Sequence, residues 1–194
     1  RREEEAPISG AEALEVVKAG MFLPKEEYVA LLEEIFESLK RRDERYEGSA
    51  RVMIAGSDLD DPGFVKLIED SGGLVVADDL CTGSRYFWED VDVSGDPLEA
   101  LARRYLSPVL CARMHPYEAH IEHLIKMAED FNVDGIIFEA LKFCDIYGGE
   151  YPLLREWLKE KGLDIPVLML DREYVLSGVE QLKTRIQAFI ESLS

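Results

Sequence analysis

Apolar residues in this chain recur with two different periods. Between residues 25 and 42, Tyr28, Leu31, Leu32, Ile35, Phe36 and Leu39 fall at helical spacing. That spacing predicts an amphipathic helix with Pro24 at its first turn. A shorter helix is expected over residues 11–19, after a charged, aperiodic stretch, RREEEAPISG, that reads as a frayed terminus. RRDERYEGSA reads as a polar connection. From residue 51 onward, short apolar runs alternate with amphipathic segments. RVMIAG, LVVAD, VDGIIFEA and DIPVLMLD read as strands. DDPGFVKLIEDSGG reads as a helix with an aspartate start and a glycine stop, and in GDPLEALARRYL Asp96 caps while Pro97 opens the helix. Further helices are expected over residues 117–131, 149–161 and 178–193. The last carries Val179, Leu182, Ile186, Phe189 and Ile190 on its inner face. LSPVLCARMHP, between two helices, reads as irregular.

Strands alternating with helices imply a parallel sheet covered on both faces. The expectation is a doubly wound α/β fold, flavodoxin- or Rossmann-like, with strands at 51–55, 74–77, 134–138 and 166–170 in the order 2-1-3-4. The leading helices are expected to pack outside it. Residues 1–46 form the leading helical segment and residues 47–194 the α/β domain in this reading.

Composition narrows the function. The net charge of −18 over 194 residues opposes nucleic-acid binding, which needs a basic face, and binding to anionic membranes. No apolar run has membrane-spanning length, and no signal peptide is recognisable. Three cysteines, an odd number, do not make a secreted disulfide framework and fit a reducing cytoplasm. Residue 1 is arginine, which leaves processing, truncation or a fragment open.

In sheets of this kind ligands bind beyond the carboxyl ends of the strands. The first such loop, GSDLDDPG, has neither a dinucleotide fingerprint nor a P-loop lysine. Asp58, Asp60 and Asp61 there read as helix-capping residues, while Asp78 sits where a ribose-binding acid would. The second loop, DDLCTGSRYFW, brings Asp78, Asp79, Cys81 and Arg85 to one turn, followed by Tyr86, Phe87 and Trp88. Those aromatics either line an acyl pocket or pack the loop onto the sheet. The third loop, ALKFCDIYGG, places Cys144 just past a strand. Two thiols at one edge suggest a ligand or redox role, although no CxxC is present. Cys111 lies in the irregular stretch. His115, His120 and His123 cluster at the start of one helix, where a zinc site is conceivable. The preferred reading is a polar helix surface shared with Glu118 and Glu122. GxSxG is absent, so no nucleophile elbow is available.

DDLCTGSRYFW, KFCD and the terminal SGVEQLKTRIQAFIESL together resemble the 2-hydroxyacyl-CoA dehydratase and benzoyl-CoA reductase family of iron–sulfur subunits. In the terminal helix the matching positions are Gln181, Leu182, Thr184, Arg185, Ala188, Phe189 and Glu191, and LPKEEYVALLEEIF is similar to the family's connecting helix. The resemblance covers roughly residues 20–194. It implies a subunit of two α/β halves with a [4Fe-4S] cluster between them, held by cysteines from both. The half before Lys25 is expected to be missing here. Cys144 matches the cysteine that the later half contributes to the cluster. Cys81 matches the motif cysteine and is a possible ligand, and Cys111 has no counterpart.

The resemblance also implies low-potential one-electron chemistry on an acyl-CoA thioester, either dehydration or ring reduction, in anaerobic metabolism. The implied partners are a related second subunit and an ATP-hydrolysing activator protein. Candidate catalytic residues are Cys81 and Arg85. Arg85 either pairs with Asp78 or Asp79 or reaches a substrate carbonyl. This chain alone is expected to hold no cluster, to keep Cys144 as a free thiol and to be inactive. The alternative reading is a stand-alone flavodoxin-like binding or interaction module without a cluster.

Overall fold

A computed structural model describes residues 1–107, 111–175 and 177–193. Four strands, β1 (Ala50–Gly56), β2 (Gly73–Asp79), β3 (Gly135–Leu141) and β4 (Val167–Arg172), form one sheet in the order β2-β1-β3-β4. Every pairing is parallel, as the alternation of strand and helix predicted. Among the described residues seven α-helices surround it: α1 (Gly10–Phe22), α2 (Lys25–Arg41), α3 (Pro62–Glu69), α4 (Pro97–Leu106), α5 (Tyr117–Asp130), α6 (Asp145–Glu160) and α7 (Val179–Glu191).

The period of two along each strand builds a core on both faces. In β1, Met53 and Ala55 join Phe138 of β3 and the buried faces of α5 and α6. Val52 and Ile54 point the other way, against Phe64 and Ile68 of α3 and Leu182, Ile186 and Ile190 of α7. Leu14 of α1 joins this second core, whereas α2 buries none of its residues. The chain runs from β1 to β2 on one side and to β3 on the other, so the reversal point lies between β1 and β3. There Gly56 has φ 128°, and a side chain would meet the Glu139 carbonyl oxygen at 1.9 Å. Glycine lets the two strand ends close together, with Ser57 N–H donating to Glu139 O at 2.9 Å and Leu141 N–H to Ser57 Oγ at 3.0 Å.

Several local expectations are corrected. The first residues are anchored: Ala6 is buried and pairs with Tyr46, and Arg51 donates to the carbonyls of Arg1 and Glu3. A guanidinium with five donors ties down a segment that its own composition would leave frayed. Pro24 is the N-cap of α2 and lies one position before the helix, and α1 starts at Gly10, where Ser9 and Glu12 form a capping box, and runs on to Phe22. α6 starts at Asp145, four residues before the expected Gly149, with Cys144 as its N-cap. Of the three loop aspartates, Asp61 caps α3 through Gly63 N–H. The irregular stretch around Cys111 includes residues 108–110, which lie outside the described residues.

Candidate functional site

The loop after β2 is built around its own aspartates. Gly83 N–H donates to Leu80 O at 3.1 Å, closing a turn with Cys81 and Thr82 at its tip. Asp78 Oδ1 accepts the Ser84 N–H at 2.6 Å, and a single 3₁₀ turn, Ser84–Tyr86, follows. A side chain at residue 83 would meet Asp78 Oδ1 at 1.9 Å, which explains glycine there. The result is an exposed Cys81 above a buried Arg85.

Arg85 pairs with Asp79. Its Nε donates to Asp79 Oδ1 at 2.8 Å and its Nη2 bonds Oδ2. Asp78 pairs instead with Arg1 at 3.2 Å. Arg85 Nη1 is left for Tyr147 Oη at 3.2 Å and Cys81 Sγ at 3.5 Å. The other Asp79 bond comes from α5, where His120 Nε2 lies 2.8 Å from Oδ2. On its far side His120 Nδ1 approaches Glu150 Oε1 to 2.6 Å, off the line of a hydrogen bond, so this contact is an ion pair only.

The electrostatics follow from burial opposed by pairing. Burial alone would raise the Asp79 carboxyl, but Arg85 and His120 hold it well below the usual range. Burial would lower His120, but Asp79 and Glu150 push it up to about 9. Tyr147 is raised to about 12 by burial, against the pull of Arg85. Arg85, His120, Asp79 and Glu150 thus form a buried group of two basic and two acidic side chains beneath Cys81. The expected exposed histidine surface is corrected here: His120 is buried, and His123 stacks edge-on against Trp88 with centroids 5.0 Å apart. His120 shares the inward face of α5 with Leu124 and Met127, a spacing visible in the sequence.

Arg113 approaches from the segment before α5. Its Nη1 donates to Tyr147 Oη at 3.3 Å and its guanidinium stacks over the Tyr147 ring at 5.1 Å. Burial works against its charge, while Tyr147 and then Cys144 and Cys81 favour it, which puts both thiols in its electrostatic neighbourhood. Cys111 Sγ accepts the Arg113 N–H at 3.4 Å. The two sequence-predicted thiols, Cys81 and Cys144, lie just past the carboxyl ends of β2 and β3 in the same parallel sheet. Arg113, Tyr147 and Glu150 were not foreseen. Tyr147 and Glu150 are three apart on α6, a helical pair hidden because the expected helix began at Gly149 and left Tyr147 in the loop before it.

The aromatic run divides. Tyr86 Oη donates to Gly20 O at 2.9 Å and Trp88 packs on the core, so both fasten the loop. Phe87 is exposed and, with Trp88, Met127 and Phe131, lines a cleft of about 500 Å³ that does not include the thiols. On the opposite face of the sheet, Glu139 Oε2 accepts from Arg172 Nε at 2.6 Å. Burial outweighs this partner and raises the Glu139 carboxyl to about 7.

A metal cluster needs several soft ligands. Among the described residues no three His, Cys, Asp or Glu side chains converge on a metal-sized site. Cys81 and Cys144 are the right donor type, and Arg85 donates to a thiol sulfur while Arg113 adds positive charge nearby. The chain's own residues thus fit a share of a cluster's ligand shell. Among the described residues no helix is long and apolar enough to cross a membrane.

The family described as 2-hydroxyglutaryl-CoA dehydratase, D-component, matches residues 1–193. The chain is 26% identical over 178 residues to the (R)-phenyllactyl-CoA dehydratase beta subunit of Clostridium sporogenes, covering 92% of this chain and 47% of that protein. It is 28% identical over 186 residues to the (R)-2-hydroxyglutaryl-CoA dehydratase subunit beta of Acidaminococcus fermentans, covering 92% and 48%. A benzoyl-CoA reductase subunit of Thauera aromatica is 27% identical over 165 residues, covering 82% and 43%. The chain spans about half the length of these curated relatives. With its all-parallel sheet and the match of the family over residues 1–193, the chain belongs to the 2-hydroxyglutaryl-CoA dehydratase D-component family.

Proposed function

We propose that this chain is the thiol-bearing half of an iron–sulfur subunit that acts on an acyl-CoA thioester. The observation that carries the reading is the placement of Cys81 and Cys144 just past the carboxyl ends of β2 and β3, with Arg85 on Cys81 Sγ and Arg113 joined to Arg85 through Tyr147 Oη, in a chain of this family. Cys144 would ligate a [4Fe-4S] cluster, and Cys81 is a second possible ligand. The further cysteines would come from the other half of the subunit. When bound, the cluster supplies single electrons at low potential, the chemistry needed to remove a hydroxyl beside a thioester or to reduce an aromatic acyl ring.

The protein's own contribution is positioning and charge. Cys144 stands at the junction of β3 and α6, two rigid elements, so its sulfur has a fixed place. A cluster bearing thiolates is anionic, and Arg85 and Arg113 offset that charge. The Arg85 N–H directed at Cys81 Sγ is of the kind that tunes a cluster's potential. Tyr147 holds both guanidiniums in register through one oxygen. A related second subunit and an ATP-hydrolysing activator protein complete the proposed assembly. The beta-subunit names of the relatives support a multi-subunit arrangement.

Turnover tests this. Full-length protein carrying this chain, purified anaerobically with its partner subunit, is supplied with activator, ATP, a strong reductant and either a 2-hydroxyacyl-CoA or benzoyl-CoA. Dehydration or ring reduction that needs ATP is the expected result. An iron-replete complex inactive on both thioester classes would refute the assignment.

A further inference from the structure

Phe143 is the least economical residue of the fold. It lies in the left-handed region at φ 67°, where a bulky side chain is strained and glycine is not. Hydrogen bonds on both sides keep it there: Lys142 N–H donates to Arg172 O at 2.8 Å, Cys144 N–H to Leu141 O at 3.0 Å, and Gly148 N–H to Cys144 O at 2.9 Å. The ring gains nothing in return, because it is 99% exposed. A single exposed apolar side chain is ordinary on a protein surface. One held outward by a strained backbone, immediately before a candidate ligand, points to a role outside the fold.

Its surroundings indicate the role. Phe143 precedes Cys144 at the end of β3, with Ile146, also exposed, in the first turn of α6. Tyr174 and Val175, just past β4, are also exposed at this edge, beside the charged Lys142, Asp145 and Glu173. Relatives of this chain carry names that share the thioester and differ in the acyl group: phenyllactyl, 2-hydroxyglutaryl and benzoyl. Discrimination among such substrates must come from side chains beside the acyl group. A phenyl ring favours an apolar or aromatic acyl group by stacking and gives nothing to a carboxylate.

We propose that Phe143 is the acyl-group specificity residue of the site and selects apolar or aromatic acyl-CoA thioesters over dicarboxylic ones. This rests on the reading of the edge as a thioester site. The experiment compares full-length, partner-bound wild type with Phe143→Gly, Phe143→Ala and Phe143→Leu. Dissociation constants are measured anaerobically for benzoyl-CoA, glutaryl-CoA and acetyl-CoA, together with iron content and melting temperature. Benzoyl-CoA binding should weaken about tenfold in the Gly and Ala variants and be partly rescued by Leu. Acetyl-CoA and glutaryl-CoA binding should hardly change, iron content should stay at the wild-type level, and Phe143→Gly should melt no lower than wild type. An equal effect on all three thioesters, or no effect on any, would overturn the inference. So would lost iron with a lowered melting temperature, since the ring would then be packed against protein. A wild-type protein without iron, or an iron-replete one that binds no thioester, contradicts the proposed function, whereas a wild type that binds all three thioesters while the Phe143 variants show no selective loss of benzoyl-CoA contradicts the role of Phe143 alone.

Discussion

At the scale of single residues, the decisive feature is the balance beneath Cys81. Arg85 and His120 face Asp79 and Glu150 in the protein interior. Removing one member of such a group leaves a buried charge uncompensated, which costs about 3–5 kcal/mol. His120→Gln is therefore expected to destabilise the protein by roughly 3 kcal/mol below pH 7. The pH dependence has a definite sign. A histidine whose folded pKa is raised to about 9 contributes stability that is complete below its ordinary value of 6.5. That contribution fades as the pH rises through about 9. Denaturant midpoints measured from pH 6 to pH 10 should show this alkaline loss in wild type and not in His120→Gln. Parallel curves for the two proteins would mean that the fold does not shift the titration of His120 and would contradict its charged pairing with Asp79 and Glu150. The composition gave no hint of this group, because a histidine flanked by glutamates on a helix is usually solvated. The signal was positional: His120 shares a helix face with Leu124 and Met127, and that face is covered.

At the scale of elements, the strands and their order were legible because short β-branched runs bounded by glycine and aspartate are too brief for a buried helix and suit a covered parallel sheet. Asp96, Asp61 and Pro97 gave the starts of α4 and α3 directly. The start of α6 was not legible. Gly148, Gly149 and Pro152 all disfavour a helix interior, yet α6 runs through them because Tyr147, Leu154 and Leu158 are buried on one face. Tertiary packing overrode propensity, and the same packing brought Tyr147 and Glu150 to the site. Gly149 is exposed, and a side chain there meets nothing within 4 Å. Gly149→Ala should thus stabilise the chain by about 0.5–1 kcal/mol, read as a rise in the denaturant midpoint at unchanged slope. A lower midpoint would show that α6 does not run through this position.

At the scale of the whole molecule, the proposed function makes the thiol edge one wall of a site shared with the rest of the subunit. The chain spans about half the length of the curated relatives it matches, and no complete ligand set for a metal converges among the described residues. In the proposed function the cluster is shared with a second half of the subunit, and Cys144, between β3 and α6, would be this chain's ligand to it. The motifs made the thiols legible from sequence. Arg85 was legible from the same motif, but Arg113 was not, since it reaches the edge from a segment without periodicity. Iron and acid-labile sulfide per polypeptide, measured after anaerobic reconstitution of the full-length protein, address the assignment most directly. Wild type should hold about four irons per cluster site. Cys144→Ser should lose most of them, Cys81→Ser fewer, and Cys111→Ser essentially none. A full complement of iron in Cys144→Ser would contradict the assignment and leave the family fold without its proposed ligand.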